Sequence, residues 1–141
     1  MIKEFIPYEQ ALALKELGFD EPCFGIYNTN TQGQMDHKVI EELLEWFDDR
    51  TTVKNSDLHH SKISAPLYQQ AFRWFREKYG LHSYIEPVLV EKANSPIKYD
   101  YVILEVSHQN DLEYNNLPYH TYEEAELTCL EKLIQIVKDG K

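Results

Sequence analysis

The stretch Tyr68-Gln69-Gln70-Ala71-Phe72-Arg73-Trp74-Phe75-Arg76-Glu77-Lys78-Tyr79-Gly80 decides how the chain is read. Tyr68, Ala71, Phe72, Phe75 and Tyr79 recur at i, i+3, i+4, i+7 and i+11, the spacing of one face of an α-helix. Pro66 stands near the start and Gly80 supplies a left-handed stop, so the pattern predicts a helix over about Ala65–Tyr79. Trp74 falls off the stripe, and Arg73 and Glu77 can pair across one turn. Burial of the aromatic rings contributes several kcal/mol, at roughly 25 cal/mol per Å². After Gly80 the pattern changes to that of strands. Ser83–Val90 and Tyr99–Ser107 read as two strands, and Asn94, Ser95 and Pro96 between them suit a hairpin with a longer loop. Pro87 cannot donate to a ladder and places its strand at an edge or a bulge. Tyr99, Tyr101 and Ile103 share one face of the second strand, and Val102, Leu104 and Val106 share the other.

The flanking sequence fits around this helix and hairpin. Pro7–Leu17 reads as a first helix stopped by Gly18, with Ala11, Leu12, Leu14 and Leu17 on its buried side and Phe19 packing back. Pro22–Tyr27 reads as a short strand in which Gly25 marks a bulge or a close backbone approach. Asn28–Gln34 is a polar loop. A second helix is expected over about Asp36–Asp48, and Arg50–Ile63 lacks a pattern and reads as a mobile loop. His108–His120 is polar and reads as a loop. Thr121 and Glu124 form a capping box, opening a last helix to about Lys138. Tyr122, Ala125, Cys129, Leu130, Leu133, Ile136 and Val137 form its buried face. Tyr8-Glu9-Gln10-Ala11, Tyr68-Gln69-Gln70-Ala71 and Tyr122-Glu123-Glu124-Ala125 echo one another. Their irregular spacing marks shared helix-start chemistry rather than a solenoid repeat. The sum is an α+β fold: one domain over residues 1–141, with a small, mainly antiparallel sheet of about three strands and about four helices.

Composition narrows the functional classes. The chain has 141 residues, 43% hydrophobic and 27% charged, which is ordinary for one globular domain and not for a disordered tail. Its net charge is −10. Residues 1–60 hold 5 basic against 12 acidic groups, and residues 61–141 hold 9 against 12. Such a chain lacks the basic footprint of a nucleic-acid binder and is repelled by an acidic membrane surface. No apolar run approaches the roughly 18–20 residues that cross a bilayer. The first residues lack the apolar stretch of a secretory signal, so a cytoplasmic protein is expected. The two cysteines, Cys23 and Cys129, make no disulfide framework and read as reduced core residues.

Motifs for chemistry are sparse. Five scattered glycines form neither a phosphate loop nor a dinucleotide fingerprint, and no cofactor is expected. There is no nucleophile elbow and no zinc-binding pair of close-set cysteines and histidines. Asp57-Leu58-His59-His60 is the one cluster with metal or acid–base potential. Asp57, His59 and His60 are therefore candidate ligands, needing a further ligand from elsewhere. A cysteine beside a histidine would make a nucleophile pair, but nothing local supports one. Arg73, Arg76 and Lys78 with Trp74 could touch phosphate and base, against a plain solvated helix face. Tyrosine is abundant, with ten copies. Tyr99, Tyr101 and Ile103 are candidates for a binding patch if no helix covers their face, and core if one does.

Two resemblances attach to these residues. Ala65–Gly80 and Thr121–Leu130, with Phe5–Phe19 beside them, resemble short uncharacterised proteins of phages, prophages and mobile elements of gut-type bacteria. The likeness covers about a third of the chain and implies a genomic setting, with no activity and no functional residue to carry over. The order helix, strand, strand, helix also looks like a double-stranded-RNA-binding domain. Here the last helix opens with Glu123, Glu124 and Glu126 where that domain has lysines, so the likeness is architectural only.

The expectation from sequence is a non-enzymatic protein-interaction or accessory module with a protein partner or a second copy of itself. A small metal-dependent hydrolase or nuclease built on His59 and His60 is the alternative, and a nucleic-acid-associated protein the second alternative.

Overall fold

The computed structural model describes residues 2–28, 52–89, 94–105, 110–114 and 118–140. The fold is α+β, as the patterns predict. The chain divides into two compact units, Met1–Tyr68 and Gln69–Lys141. The helix expected over Asp36–Asp48 lies outside the described residues.

In the first unit, helix α1 spans Tyr8–Glu16. Pro7 precedes it in an extended conformation, and its carbonyl accepts from Ala11 N at 3.0 Å. Gly18, at φ +93°, turns the chain out of the helix. Gly18 N donates to Lys15 O at 3.0 Å and Phe19 N to Leu14 O at 2.9 Å. This is the Schellman arrangement, which satisfies the last carbonyls of the helix. Leu14 and Phe19 are both buried.

Strand β1 (Gly25–Asn28) pairs antiparallel with β2 (Lys62–Ala65), with Gly25 opposite Ala65. The four residues of β2 alternate polar and apolar (Lys62, Ile63, Ser64, Ala65), too short a run to stand out from the patternless stretch it adjoins. Gly25 is a close backbone approach: a Cβ there would stand 2.7 Å from the Phe5 ring and 3.0 Å from Ala65 O. Part of the expected mobile loop is a pinned 3-10 turn, Asn55–Asp57. Asn55 Nδ2 donates to Phe19 O at 2.8 Å, and Asn55 Oδ1 accepts from Ser64 N at 2.9 Å. The Asp20 carboxylate accepts from Ser56 N at 2.7 Å and from Ser56 Oγ at 2.8 Å. Those two hydrogen bonds hold the Asp20 carboxyl below its usual range. Tyr27 OH donates to Ile6 O at 2.6 Å, which satisfies a buried hydroxyl, and its ring meets Tyr8 edge-on.

Helix α2 spans Tyr68–Tyr79. It begins later than the Ala65 expected from sequence, because Ala65 closes β2. A residue before proline is driven to extended backbone, and Ala65 precedes Pro66. Gly80, at φ +67°, ends the helix and leads into the second unit's sheet. That sheet has the order β3 (Leu81–Val88), β4 (Lys98–Glu105), β5 (Asn110–Tyr114), all antiparallel. The ladder places Pro87 opposite Tyr99, Ile85 opposite Tyr101 and Ser83 opposite Ile103. Strand β5 falls in the segment that reads as a polar loop. Its pairing to β4, with an irregularity at Ile103/Leu104, orders residues of low strand propensity.

Helix α3 spans Tyr122–Asp139 with Thr121 as its cap. Thr121 Oγ1 accepts from Glu124 N at 3.1 Å, while the Glu124 carboxylate accepts from His120 N at 3.2 Å. The expected reciprocal box is thus closed one residue upstream of the cap. The three echoed tetrapeptides have one physical meaning. Tyr8, Tyr68 and Tyr122 are the first residues of α1, α2 and α3, and Ala11, Ala71 and Ala125 are all buried.

Two substitutions test this account. Asn55→Ala removes the hydrogen bonds to Phe19 C=O and to Ser64 N–H and is expected to cost about 2–4 kcal/mol in urea unfolding. Gly25→Ala is expected to destabilise by about 1–3 kcal/mol, because its Cβ overpacks against Phe5 and Ala65. A neutral or stabilising result at Gly25 would contradict the close approach.

Candidate binding cleft

The histidine loop does not assemble a metal centre among the described residues. His59 and His60 are exposed, with ring centroids 3.8 Å apart. His59 Nδ1 is 3.1 Å from Ser61 Oγ, and the Asp57 carboxylate accepts from Lys54 N at 3.4 Å. No group of three or more histidine, cysteine or acidic side chains in metal-binding proximity occurs among the described residues. On α2, Trp74 is buried, edge-on to Phe75 and Tyr79, with Lys78 Nζ 4.9 Å from its ring centre. That ring is not free to stack on a base, so the pairing of Trp74 with Arg73 and Arg76 does not form a nucleic-acid platform.

The strand face of Tyr99, Tyr101 and Ile103 is not an open patch. Tyr101 and Ile103 are buried and Tyr99 is half-buried. The Tyr99 ring meets Tyr122 of α3 edge-on at 5.8 Å, and the Tyr101 ring stacks with Tyr119 at 6.2 Å. Cys129 on α3 hydrogen-bonds with Ser83, which shares this face across the ladder. Helix α3 therefore lies over these side chains, and of the two readings open to the sequence the core reading holds for Tyr101 and Ile103.

One feature of the second unit with room for a ligand lies beside that face. A cleft of about 280 Å³ is lined by Gln69 and Phe72 of α2, by Ser83, Tyr84 and Ile85 of β3, and by Tyr122, Glu126 and Cys129 of α3. Successive strand residues point to opposite faces. The hollow takes in three consecutive residues of β3, so the strand's backbone lies along it together with side chains from α2 and α3. Tyr84 and Tyr122 are 48% and 44% exposed, large apolar rings with polar tips at the cleft. Burial, then the neighbouring Glu126, pushes the Tyr122 hydroxyl's pKa up, so it stays a hydrogen-bond donor. Sequence places Tyr122 on the buried face of the last helix. Tyr122 is the first residue of α3 and stays exposed there, with the Tyr99 ring edge-on to it.

The cleft holds binding groups rather than a nucleophile. The Cys129 thiol is buried, and that desolvation raises its pKa to about 12, so it is protonated at neutral pH. Cys23 in the first unit is buried and likewise raised to about 12. No histidine is among the described residues that line the cleft. The remaining contributors are an apolar floor of Phe72 and Ile85 and polar groups from Gln69, Glu126 and two tyrosines.

Among the described residues no helix is long and apolar enough to cross a membrane. Comparison of the chain with protein-family models, with curated proteins and with solved structures finds no match.

The thiols make a signed prediction. Both stay protonated in the folded protein from their ordinary 9.0 to about 12. The stability they carry is fully present below about pH 9 and is lost as pH rises toward 12, at up to ~1.4 kcal/mol per pH unit per thiol. Urea midpoints measured from pH 7 to pH 10 should fall at the alkaline end. The Cys23→Ala, Cys129→Ala double variant should show a flatter profile. Native-state alkylation at neutral pH should be slow, and fast labelling of either thiol would refute its burial.

Proposed function

We propose that this chain is a non-enzymatic protein-interaction module, a cytoplasmic accessory protein of a phage or mobile element. One observation carries the interaction reading: the cleft, where two half-exposed tyrosines stand over an apolar floor with no activated nucleophile among its described lining residues. Tyrosine contributes a large contact area at low entropic cost and a hydroxyl that needs a partner, which is why it is enriched at binding surfaces. An open strand edge beside it suits an extended segment of a partner, bound by main-chain hydrogen bonds with side chains seated in the hollow. The acidic chain, at net charge −10, disfavours nucleic acid as that partner. The phage or mobile-element setting is supported by the resemblance at Ala65–Gly80 and Thr121–Leu130.

The test is affinity capture of the full-length tagged chain from its own host, compared with Tyr122→Asp and Glu126→Arg. An acid at the first turn of α3 suits the helix dipole, so the aspartate variant keeps its fold while placing charge on the cleft wall. A retained partner whose binding falls about tenfold or more in both variants is the expected result. No retained partner, or one bound equally by both variants, would overturn the reading.

A further inference from the structure

We infer that two copies of this chain join through the outer edges of β3, antiparallel and centred on Tyr84, to make one continuous six-stranded sheet. The inference rests on the interaction reading above and names a second copy as one occupant of the edge.

The backbone geometry fixes which groups are offered. Among the described residues β3 is the end strand of its sheet, with β4 as its neighbour. Tyr99 exchanges both of its backbone hydrogen bonds with Tyr119, N to O at 2.9 Å and O to N at 2.7 Å. Tyr99 therefore turns its N–H and C=O away from β3. Its ladder partner, Pro87, is thus in a non-hydrogen-bonded pair and faces the outer edge, where its missing N–H costs the sheet nothing. By the two-residue alternation, Leu81, Ser83 and Ile85 also turn their N–H and C=O groups outward. The edge carries no lysine or arginine, the commonest guards of such an edge, and its one proline stands near the far end.

The sequence of this edge is self-complementary in one register. Antiparallel pairing centred on Tyr84 sets Ser83 opposite Ile85 of the other copy, and Leu81 opposite Pro87. Ser83 N–H then donates to Ile85 O, Ile85 N–H to Ser83 O, and Leu81 N–H to Pro87 O, each repeated by symmetry. On the other face, exposed His82 stands opposite Glu86 twice, with Tyr84 against Tyr84 between the two pairs. A register centred on Ser83 leaves Pro87 beyond the paired strand, and one centred on Ile85 sets Pro87 opposite Ser83. Neither pairs His82 with Glu86. The small side chain of Ser83 leaves the cleft open beside it, and the facing Ile85 of the other copy enters there.

The full-length chain is tested by native mass spectrometry and sedimentation at high micromolar concentration. Wild type is expected at twice 16.7 kDa. His82→Glu sets acid against acid in the pair, and Glu86→Lys sets lysine against histidine. Each variant alone is expected to weaken the dimer about tenfold or more, and an equimolar mixture of the two should restore it as a heterodimer. Far-UV circular dichroism confirms that each variant is folded. Monomeric wild type would overturn the inference. A dimer indifferent to both variants, or a mixture that is not rescued, would overturn it as well. Capture of a host partner through Tyr122 and Glu126 alongside a monomeric wild type would leave the interaction reading standing and remove only the second copy.

Discussion

The reciprocal pair of backbone hydrogen bonds between Tyr99 and Tyr119 governs the second unit. It uses up the groups that Tyr99 could have offered to β3, and so sets the phase of the whole β3–β4 ladder. It also delivers the chain to His120 and Thr121, whose cap starts α3. Because α3 begins there, Tyr122 meets Tyr99 and Cys129 reaches Ser83. The covered strand face, the cleft beside it and the outward groups of β3 all follow from one two-residue bridge. Shifting that bridge by one residue would reverse every face of the sheet.

The first unit solves a different problem. Among its described residues the regular structure is two paired strands of four residues, a short helix and two 3-10 turns. Side chains supply what the ladder does not. The carboxamide of Asn55 gives a donor to Phe19 C=O and an acceptor to Ser64 N–H, so one side chain joins the end of α1 to β2. Asp20 does the same for the 3-10 turn, and the Tyr27 hydroxyl for Ile6 C=O. Each bond is of modest net value, yet leaving a buried partner without one, as at Ser64 N–H or the Tyr27 hydroxyl, costs about 1–3 kcal/mol, while the Asp20–Ser56 bonds lie at the surface. The polar clamps thus act chiefly by exclusion of other arrangements.

Much of this was legible in the sequence, where the signal was local. Gly18 and Gly80 mark helix ends because a left-handed turn favours glycine, and both have positive φ. Gly25 signals a close approach because a methyl there has no space. Thr121 and Glu124 cap a helix through bonds spanning a few residues. What failed to show was non-local. Strands β2 and β5 owe their existence to the strands they pair with, because runs of four and five residues are too short for their alternation to stand out. The cleft joins the consecutive α2 and β3 to α3, far along the chain, and no local pattern marks Ser83 or Tyr84 as its lining. Tyr99 and Tyr101 were visible as a pair on one face, but which face α3 covers is decided by packing. Pro87 did announce an edge strand, and among the described residues β3 is one.

The cleft and the strand edge share atoms, and this ties the two proposed uses together. Ser83 and Ile85 lend side chains to the hollow and backbone groups to the edge. A peptide that adds to β3 and a second copy that pairs with it compete for the same N–H and C=O groups. The competition is unequal, because the pair of copies gains two His82–Glu86 contacts and the Tyr84 pair. A partner peptide instead gains contacts to Tyr122 and Glu126 on α3. Dimerisation depends on the concentration of the chain itself, while partner binding depends on that of the partner. If both proposals hold, an abundant chain is self-capped, its β3 edge closed against indiscriminate strand addition, and a scarce chain presents that edge, and the tyrosines beside it, to an extended segment able to satisfy both.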